Sequence, residues 1–193
     1  MSHSEPKQRV YLDTETTGLG DDAQIIEIAI VCERQVPLSD GKNSMTGITY
    51  DVILSEKIRP TVSIDKAAQR IHGISLESLK DAPTWPHIAA QVAAAVDGKK
   101  VGIFNSDFDI RMLRQTATAF GDEAKWIDEI DTFCVMCDAA EAYGSTNQYG
   151  TISLANAVLS AGIEWQGEPH SAAGDALTTM ALSEFMFDRD AIE

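Results

Sequence analysis

Apolar positions in the first third of the chain fall into three runs that have the length or the period of β-strands, at residues 8–13, 25–33 and 50–58. The stretch 38–47, between the second and third runs, is rich in Ser, Gly, Asp and Asn, which is typical of a hairpin loop. Together these features predict three strands of an antiparallel meander at the start of the fold.

The rest of the chain alternates helical patterns with short apolar runs. In the helix predicted over 86–96, Pro86 stands at the start and Ile88, Val92 and Val96 recur every four residues. Further helices are predicted at 75–80, 107–120, 132–143, 153–161 and 172–187, and short strands at 101–104 and 126–131. A meander followed by strands that alternate with helices predicts an α/β fold with a mixed five-stranded sheet and helices on both faces.

Candidate chemistry lies at the end of the first predicted strand. Asp13 and Glu15 are two positions apart, so both carboxylates leave the same face of a strand. Carboxylate oxygens are hard ligands that Mg²⁺ and Mn²⁺ prefer. The remote carboxylates Asp109 and Asp175 could complete a site for paired cations.

The predicted topology explains how these remote acids could meet. Asp109 lies one turn into the helix after the fourth strand, and Asp175 lies one turn into the last helix. Helices packed over the sheet can aim both acids at the end of the first strand. His170 follows Pro169 and precedes Asp175 by five residues, which places it in a loop as a candidate general base.

Each of these features has an ordinary structural explanation. The triplet from Asp13 to Glu15 could be a solvated loop, Asp109 could cap a helix, and His170 could be a surface histidine. The three occur in one chain, in a fixed order and each beside a suitable predicted element. That joint pattern favours a metal-dependent nuclease.

Four segments carry a resemblance to a known family: Asp13-Thr-Glu15-Thr-Thr-Gly-Leu19, Arg70-Ile-His72-Gly-Ile, Asn105-Ser-Asp-Phe-Asp109 and His170-Ser-Ala-Ala-Gly-Asp175-Ala. They resemble the motifs of the DEDDh (DnaQ-like) 3′-5′ exonucleases, and the match spans about residues 9–186. The spacing and the segment 149–175 are closer to the stand-alone exonuclease X type than to polymerase-fused proofreading domains.

This resemblance implies an RNase H-like fold and His170 as general base. It implies two divalent cations, Mg²⁺ or Mn²⁺, held by Asp13, Glu15, Asp109 and Asp175. It also implies substrate contacts from Thr16, Leu19, His72, Asn105 and Phe108. The products would be nucleoside 5′-monophosphates.

Alternatives stay open at several of these substrate positions. Thr16 could offer its hydroxyl to a terminal 3′-OH and Leu19 could wedge against the last base, or both could belong to a polar turn beside the core. Phe108 could stack on a base or could be a core residue. His72 could contact a phosphate or could cap the helix predicted near residue 75.

Three positions depart from the family pattern. Ala67 stands where proofreading relatives have an acidic residue, and Ser171 and Gly174 replace the usual Arg and a larger residue near His170. Glycine inside a helix costs about 1 kcal/mol relative to alanine. The last helix is therefore expected to start late or to leave His170 mobile.

Length and composition fit one globular domain over residues 1–193, with residues 1–7 disordered. The chain is 44% hydrophobic, and it has no apolar run of membrane-spanning length. The polar N-terminus does not resemble a signal peptide, so a cytoplasmic location is expected. Cys134 and Cys137 are expected one turn apart in a reduced, mostly buried helix rather than in a zinc or redox site.

The net charge of −15, with 15 basic and 30 acidic residues, argues against a basic stripe that grips long duplex DNA. The expected partners are 3′ ends of single-stranded nucleic acid, with DNA favoured and RNA possible. A second alternative is an exoribonuclease or oligoribonuclease of the same fold, which the acidic charge favours because short substrates need little electrostatic grip. A third alternative is a proofreading subunit that acts mainly through a polymerase. Homodimerisation is implied by the resemblance alone.

Overall fold

The computed structural model describes residues 7–38 and 45–190 of the chain. The disorder expected at residues 1–7 falls outside the described residues except at Lys7, whose ammonium pairs with the Asp131 carboxylate at 2.9 Å. The middle of the expected hairpin loop, residues 39–44, also lies outside the described residues.

Five strands form one mixed sheet with the order β3-β2-β1-β4-β5. Strands β1–β2 and β2–β3 are antiparallel, whereas β1–β4 and β4–β5 are parallel. The strands are β1 (Arg9–Thr16), β2 (Ile25–Leu38), β3 (Met45–Lys57), β4 (Lys100–Ile103) and β5 (Asp131–Cys134). The predicted meander with added parallel strands is confirmed, although β2 and β3 extend further into the hairpin than predicted.

Six α-helices and two short 3₁₀ helices connect or cover the strands in the described part of the chain. The α-helices are α1 (Lys66–His72), α2 (Trp85–Val96), α3 (Ser106–Ala119), α4 (Val135–Tyr143), α5 (Leu154–Ala161) and α6 (Ala172–Asp190). The 3₁₀ helices are Glu77–Leu79 and Lys125–Glu129. None of the helices within residues 7–38 and 45–190 is both long and apolar enough to cross a membrane.

Alternation along β1 divides the core into two layers. Val10 and Leu12 point to the layer that contains Val92 of α2 and Met112 of α3. Tyr11 points to the opposite layer, built by α4, α5 and α6. Helices therefore cover both faces, as predicted, and the odd-numbered residues of β1 face the helix that carries Asp175.

The strand predicted over 126–131 is wrong. Most of that segment is the 3₁₀ helix Lys125–Glu129, in which Ile127 is buried and Trp126 stacks on Trp85 at 6.5 Å. The strand begins at Asp131 and pairs with β4, so the helix predicted from residue 132 begins only at Val135. A short apolar run has no period that separates strand from helix, and the pairing with β4 decides between them.

The helix predicted over 75–80 is also wrong, since only Glu77–Leu79 forms a 3₁₀ turn. The α-helix of this region, α1, lies before it and buries none of its residues. Without a buried face, α1 has no apolar period that could reveal it in the sequence. It ends at Gly73, whose φ of 72° lies in the left-handed region that favours glycine.

The expectation of a mostly buried cysteine helix is wrong as well. Cys134 is the last residue of β5, and Cys137 is exposed on α4. All three cysteines are free, with Cys32 buried in β2. A side-chain hydrogen bond with Cys134 that favours the protonated form raises the pKa of the Cys137 thiol to about 11, so this thiol is protonated at neutral pH and is a poor nucleophile.

Candidate active site

Three carboxylates meet where β1 ends and α6 begins. Asp13 and Glu15 leave the same face of β1, and Asp175 approaches that face from the first turn of α6. Each contributes a carboxylate oxygen, and these oxygens all lie within 4.8 Å of one another. This arrangement, here called the acidic cluster, offers the hard oxygen ligands that bind divalent cations.

The acidic cluster brings carboxylates together without an ion pair to any basic side chain within residues 7–38 and 45–190. Burial raises the pKa of Asp13 well above its usual range, and repulsion from Asp109 and Asp175 raises it further. Burial and the charge of Asp175 raise the pKa of Glu15 to about 8. Burial also raises the pKa of Asp175. Such a cluster favours protons or metal cations at neutral pH.

Asp109 lies outside the acidic cluster but next to it. It occupies the first turn of α3, is only 4% exposed, and accepts a hydrogen bond from the Thr14 hydroxyl at 2.7 Å. Burial raises the pKa of Asp109 to about 7, while the Thr14 hydrogen bond acts in the opposite direction. The structure thus brings the fourth predicted acid to the same strand end from the α3 side.

His170 lies in the turn before α6 and is exposed, as expected for a loop histidine. Its φ of 61° is left-handed, a conformation that few residues other than glycine adopt. Its backbone N–H donates to Asp175 Oδ1 at 3.1 Å, which ties this turn to the acidic cluster. The strained backbone at the candidate base depends on the turn around it.

The departures Ser171 and Gly174 build that turn. A Cβ at Gly174 would overlap the Glu168 carbonyl oxygen, so only glycine allows the turn to fold back onto the helix. The Ser171 hydroxyl donates to the same carbonyl at 2.8 Å and accepts from the Gly174 N–H at 3.1 Å. The glycine does not delay the helix, which begins at Ala172 as first predicted.

The turn after β1 carries two of the predicted substrate contacts. Thr16 is buried, and its hydroxyl donates to the Gly18 carbonyl at 2.8 Å. Leu19 is 75% exposed, so it is not a core leucine. An exposed leucine four residues after Glu15 is available to contact a base.

His72, at the end of α1, is half-buried and turned towards β1. Its Nδ1 accepts the Ile74 N–H at 3.0 Å, so Nε2 carries the ring hydrogen. Nε2 is buried and makes no hydrogen bond within the described part of the chain, although the nearby Thr16 backbone favours the charged ring. Burial outweighs this effect and lowers the pKa of His72, so the imidazole is neutral.

Asn105 and Phe108 begin α3. Asn105 is exposed at the N-cap, and its carbonyl accepts the N–H groups of Phe108 at 3.0 Å and Asp109 at 3.3 Å. Phe108 packs partly against the core, and the Arg111 guanidinium lies 5.3 Å from its ring centroid. The Asn105 side chain makes no capping hydrogen bond to α3, whereas Phe108 is partly a core residue.

Two polar residues that the sequence analysis did not single out hold the turn after β1 against α3. Gln115 Nε2 donates to the carbonyls of Gly20 at 3.0 Å and Ala23 at 3.3 Å. Arg111 donates to the Leu19 carbonyl at 3.5 Å. These contacts join residues far apart in sequence, and no local pattern indicates them.

A third missed residue, Glu27, lies beside the acidic cluster. It is the cross-strand partner of Glu15, and its Oε2 accepts the Ala172 N–H at 3.0 Å. A charged residue within the apolar run 25–31 was the feature of the sequence that could have drawn attention to it.

Comparisons with known proteins agree with this geometry. The family model described as Exonuclease (RNase T) matches residues 10–183. The "Uncharacterized exonuclease CP81" of Escherichia phage 186 is 32% identical over 181 residues, which cover 90% of this chain and 85% of the relative. The DNA polymerase III subunit epsilon of Buchnera aphidicola subsp. Acyrthosiphon pisum is 30% identical over 138 residues, 68% of this chain. The chain spans about half of that subunit, 52% of its length.

Among solved structures, exonuclease X in complex with 5′ overhanging duplex DNA is similar, with a TM-score of 0.67. The alignment covers 95% of this chain and 93% of exonuclease X at 22% identity, which supports the RNase H-like fold. The family match extends over nearly the whole length and includes every element of the acidic cluster. This chain therefore belongs to the exonuclease family that the RNase T model describes, in agreement with the resemblance carried by its motifs.

Proposed function

We propose that the protein removes nucleotides one at a time from the 3′ ends of single-stranded DNA and releases nucleoside 5′-monophosphates. The observation that carries this proposal is the acidic cluster, whose three carboxylate oxygens lie within 4.8 Å of one another, together with the exposed Leu19 in the turn that follows β1. A cation site next to an exposed apolar side chain can hold a phosphodiester and the base of a strand end together.

The residues present fit two divalent cations, Mg²⁺ or Mn²⁺. Asp13, Glu15 and Asp175 would hold one of them, and Asp109 would share in the second from the α3 side. Burial and mutual repulsion raise the pKa values of Asp13 and Glu15, and bound cations would relieve both effects. Divalent cations bound there would supply Lewis-acid stabilisation of the phosphoryl group and would acidify a nearby water.

His170 would accept the proton of the attacking water. Its side chain is exposed, and its backbone N–H bonds to Asp175, so the main chain from which the imidazole extends is held beside the acidic cluster. A positioned general base must come within hydrogen-bond reach of that water when substrate is present. The loop position of His170 allows this approach.

Thr16 and Leu19 would recognise the strand end. The Thr16 hydroxyl donates to the Gly18 carbonyl, but its oxygen can still accept a hydrogen bond from a terminal 3′-hydroxyl. Leu19 would pack against the last base. Asn105, Phe108 and His72 would complete the contacts, His72 as a neutral donor through Nε2.

Net charge and the relatives bear on the substrate class. A net charge of −15 disfavours a long duplex and suits single strands or short oligonucleotides. Exonuclease X is described with an overhanging DNA duplex, which favours DNA. Short RNA is the alternative substrate, because the acidic charge also suits oligoribonucleotides. A proofreading role is the other alternative, because polymerase III epsilon subunits are among the relatives.

The test is digestion of matched 5′-labelled DNA and RNA oligonucleotides, single-stranded and duplex, with Mg²⁺ or with Mn²⁺. We expect single-stranded DNA to shorten stepwise to 5′-monophosphates, and circular or 3′-phosphorylated strands to resist. Faster digestion of RNA than of DNA would contradict the DNA preference and favour the oligoribonuclease alternative. Internal cuts in a circular strand would contradict the exonuclease mode. Activity only in the presence of an added polymerase would favour the proofreading alternative.

A further inference from the structure

Glu27 places a fifth acid against the acidic cluster without belonging to it. It is half-buried in β2, directly across from Glu15, and its charge contributes to the raised pKa values of Asp13 and Glu15. Adding negative charge beside unneutralised carboxylates is unfavourable. A carboxylate at this position therefore needs a compensating interaction.

That interaction is the hydrogen bond from the Ala172 N–H to Glu27 Oε2, 3.0 Å long. Ala172 is the first residue of α6, where backbone N–H groups have no partner within the helix. A carboxylate at a helix N-terminus is also favoured by the helix dipole. The bond fastens the start of α6 directly to strand β2.

Asp175 lies in the turn of α6 that this bond fastens. Its own N–H donates to the Ser171 carbonyl at 2.9 Å, so its position follows the position of the helix start. The Ser171 hydroxyl accepts the Gly174 N–H, and the Ala172 N–H donates to Glu27 instead. The distance between Asp175 and the two acids of β1 thus depends on a contact made by a residue of β2.

We propose that Glu27 is a positioning residue that fixes Asp175 against Asp13 and Glu15 by accepting the Ala172 N–H. Its role is to accept a hydrogen bond, and it does not bind the cation itself. This inference rests on the proposed metal site. In this proposal the positions of the metal ligands depend on hydrogen bonds from residues that do not bind the metal. Loss of such bonds commonly weakens metal binding by about 10- to 100-fold.

Two substitutions of Glu27 distinguish the effect of its hydrogen bond from the effect of its negative charge. Glu27→Gln keeps a side-chain oxygen that can accept the Ala172 N–H, and Glu27→Leu removes it. We expect the Gln variant to bind Mn²⁺ within about threefold of the native affinity and the Leu variant to bind it about 10- to 100-fold more weakly. Titration calorimetry with Mn²⁺ alone measures this without substrate. The kcat of the Leu variant should fall while KM for a single-stranded oligonucleotide changes little.

A third substitution removes the donor and leaves Glu27 intact. Ala172→Pro deletes the N–H at the first helical position, where proline is well tolerated. We expect the same loss of Mn²⁺ affinity as in Glu27→Leu, and no further loss in the double variant, because both changes break one bond. Glu141→Gln, which removes an exposed charge on α4, is the matched control and should bind Mn²⁺ normally.

The outcomes are distinct. If Glu27→Gln loses as much Mn²⁺ affinity as Glu27→Leu, the carboxylate acts as a ligand or a charge and the positioning role is wrong. Native affinity in both Glu27→Leu and Ala172→Pro would also overturn it. If Asp175→Asn itself leaves Mn²⁺ binding unchanged, the proposed metal site fails, which is separable from failure of the Glu27 role alone. Should Glu27→Leu not fold, Ala172→Pro and Glu27→Gln still decide the question.

Discussion

The Thr14 hydroxyl donates to Asp109 Oδ1 at 2.7 Å, from the face of β1 opposite to Asp13 and Glu15. Asp109 is therefore held from the α3 side of the sheet, and Asp175 reaches the same strand end from the α6 side. The end of β1 is enclosed by the first turns of two helices that lie on different faces. Because side chains alternate along β1, one face of the strand carries Asp13 and Glu15 and the other carries the hydroxyl that orients Asp109.

Thr14→Val tests this relationship, because it keeps the shape of a buried side chain and removes its hydroxyl. Asp109 is buried and would lose a donor that favours its charged form. We expect turnover of a single-stranded oligonucleotide to fall by about 10- to 100-fold, the usual effect of removing a group that orients a metal ligand. Thr14→Ser, which keeps the hydroxyl, is the matched control. Equal activity of the Val and Ser variants would show that Thr14 does not orient Asp109.

Asp13→Ala or Asp175→Ala should abolish hydrolysis while the fold survives. Each change removes a candidate ligand, and each also relieves repulsion within the acidic cluster. The melting temperature of the metal-free protein should therefore stay the same or rise. Thermal unfolding with and without Mn²⁺ measures both effects, since Mn²⁺ should stabilise only the native protein. A variant with near-native turnover would remove that residue from the site.

Stability of the metal-free protein should fall as pH rises from about 5 to about 8. The pKa of Glu15 is raised from its usual 4.5 to about 8 in the fold, so over this range the native protein binds more protons than the unfolded chain. The free energy of unfolding decreases with pH wherever the native state holds the extra protons. The raised pKa of Asp109, about 7, acts in the same direction.

Divalent cations should oppose this loss of stability, because they replace the protons on the acidic cluster. Thermal unfolding across pH, with chelator or with Mn²⁺, measures the difference. Mn²⁺ binding near pH 7 should also release protons, which calorimetry in buffers of different ionisation enthalpy detects. A melting temperature that does not depend on pH in the presence of chelator would contradict the raised pKa values.

The turn that carries Leu19 should control substrate capture more than chemistry. Leu19→Ala removes the proposed apolar contact with the terminal base, and full burial of a leucine side chain contributes about 1.5 to 3 kcal/mol. Gln115→Ala removes two hydrogen bonds that hold the turn against α3 and should raise KM by roughly three- to tenfold. Both variants should bind Mn²⁺ normally. A fall in kcat without a change in KM would place the turn in the chemical step instead.

The helices and strands that were predicted correctly are those in which buried apolar residues recur at a regular spacing. The meander, β4, α2 and α3 carry clear apolar patterns, and the spacing of Asp13 and Glu15 follows from strand geometry alone. The helix α1 was missed because it buries nothing, and β5 was misplaced because its pairing with β4 decides its position. Where long-range strand pairing determines an element's position, the residues of that element alone do not predict it.

The candidate site divides in the same way. Its carboxylates were found from order and spacing, but the residues that hold them in place were not. Thr14, Glu27 and Gln115 act through hydrogen bonds that join residues far apart in sequence. Gly174 was taken as a weak point of a helix, whereas the close approach of the Glu168 carbonyl requires it. Packing of one segment on another determines these roles.

The last prediction concerns His170, whose left-handed backbone complicates any substitution. Alanine at a φ of 61° is strained, so loss of activity in His170→Ala could come from the turn rather than from the missing base. Asparagine tolerates this conformation and lacks a basic nitrogen, which makes His170→Asn the cleaner variant.

If His170 is the general base, both variants should lose about 10²- to 10⁴-fold in turnover of a single-stranded oligonucleotide. Mn²⁺ affinity should stay native in His170→Asn, because the backbone N–H that bonds to Asp175 remains. Single-turnover digestion, compared with Mn²⁺ titration of the same samples, separates the two effects. If His170→Asn binds Mn²⁺ and cleaves at nearly the native rate with an unchanged pH profile, the imidazole is not the base. Loss of Mn²⁺ affinity in His170→Asn would instead show that the side chain helps to hold the turn.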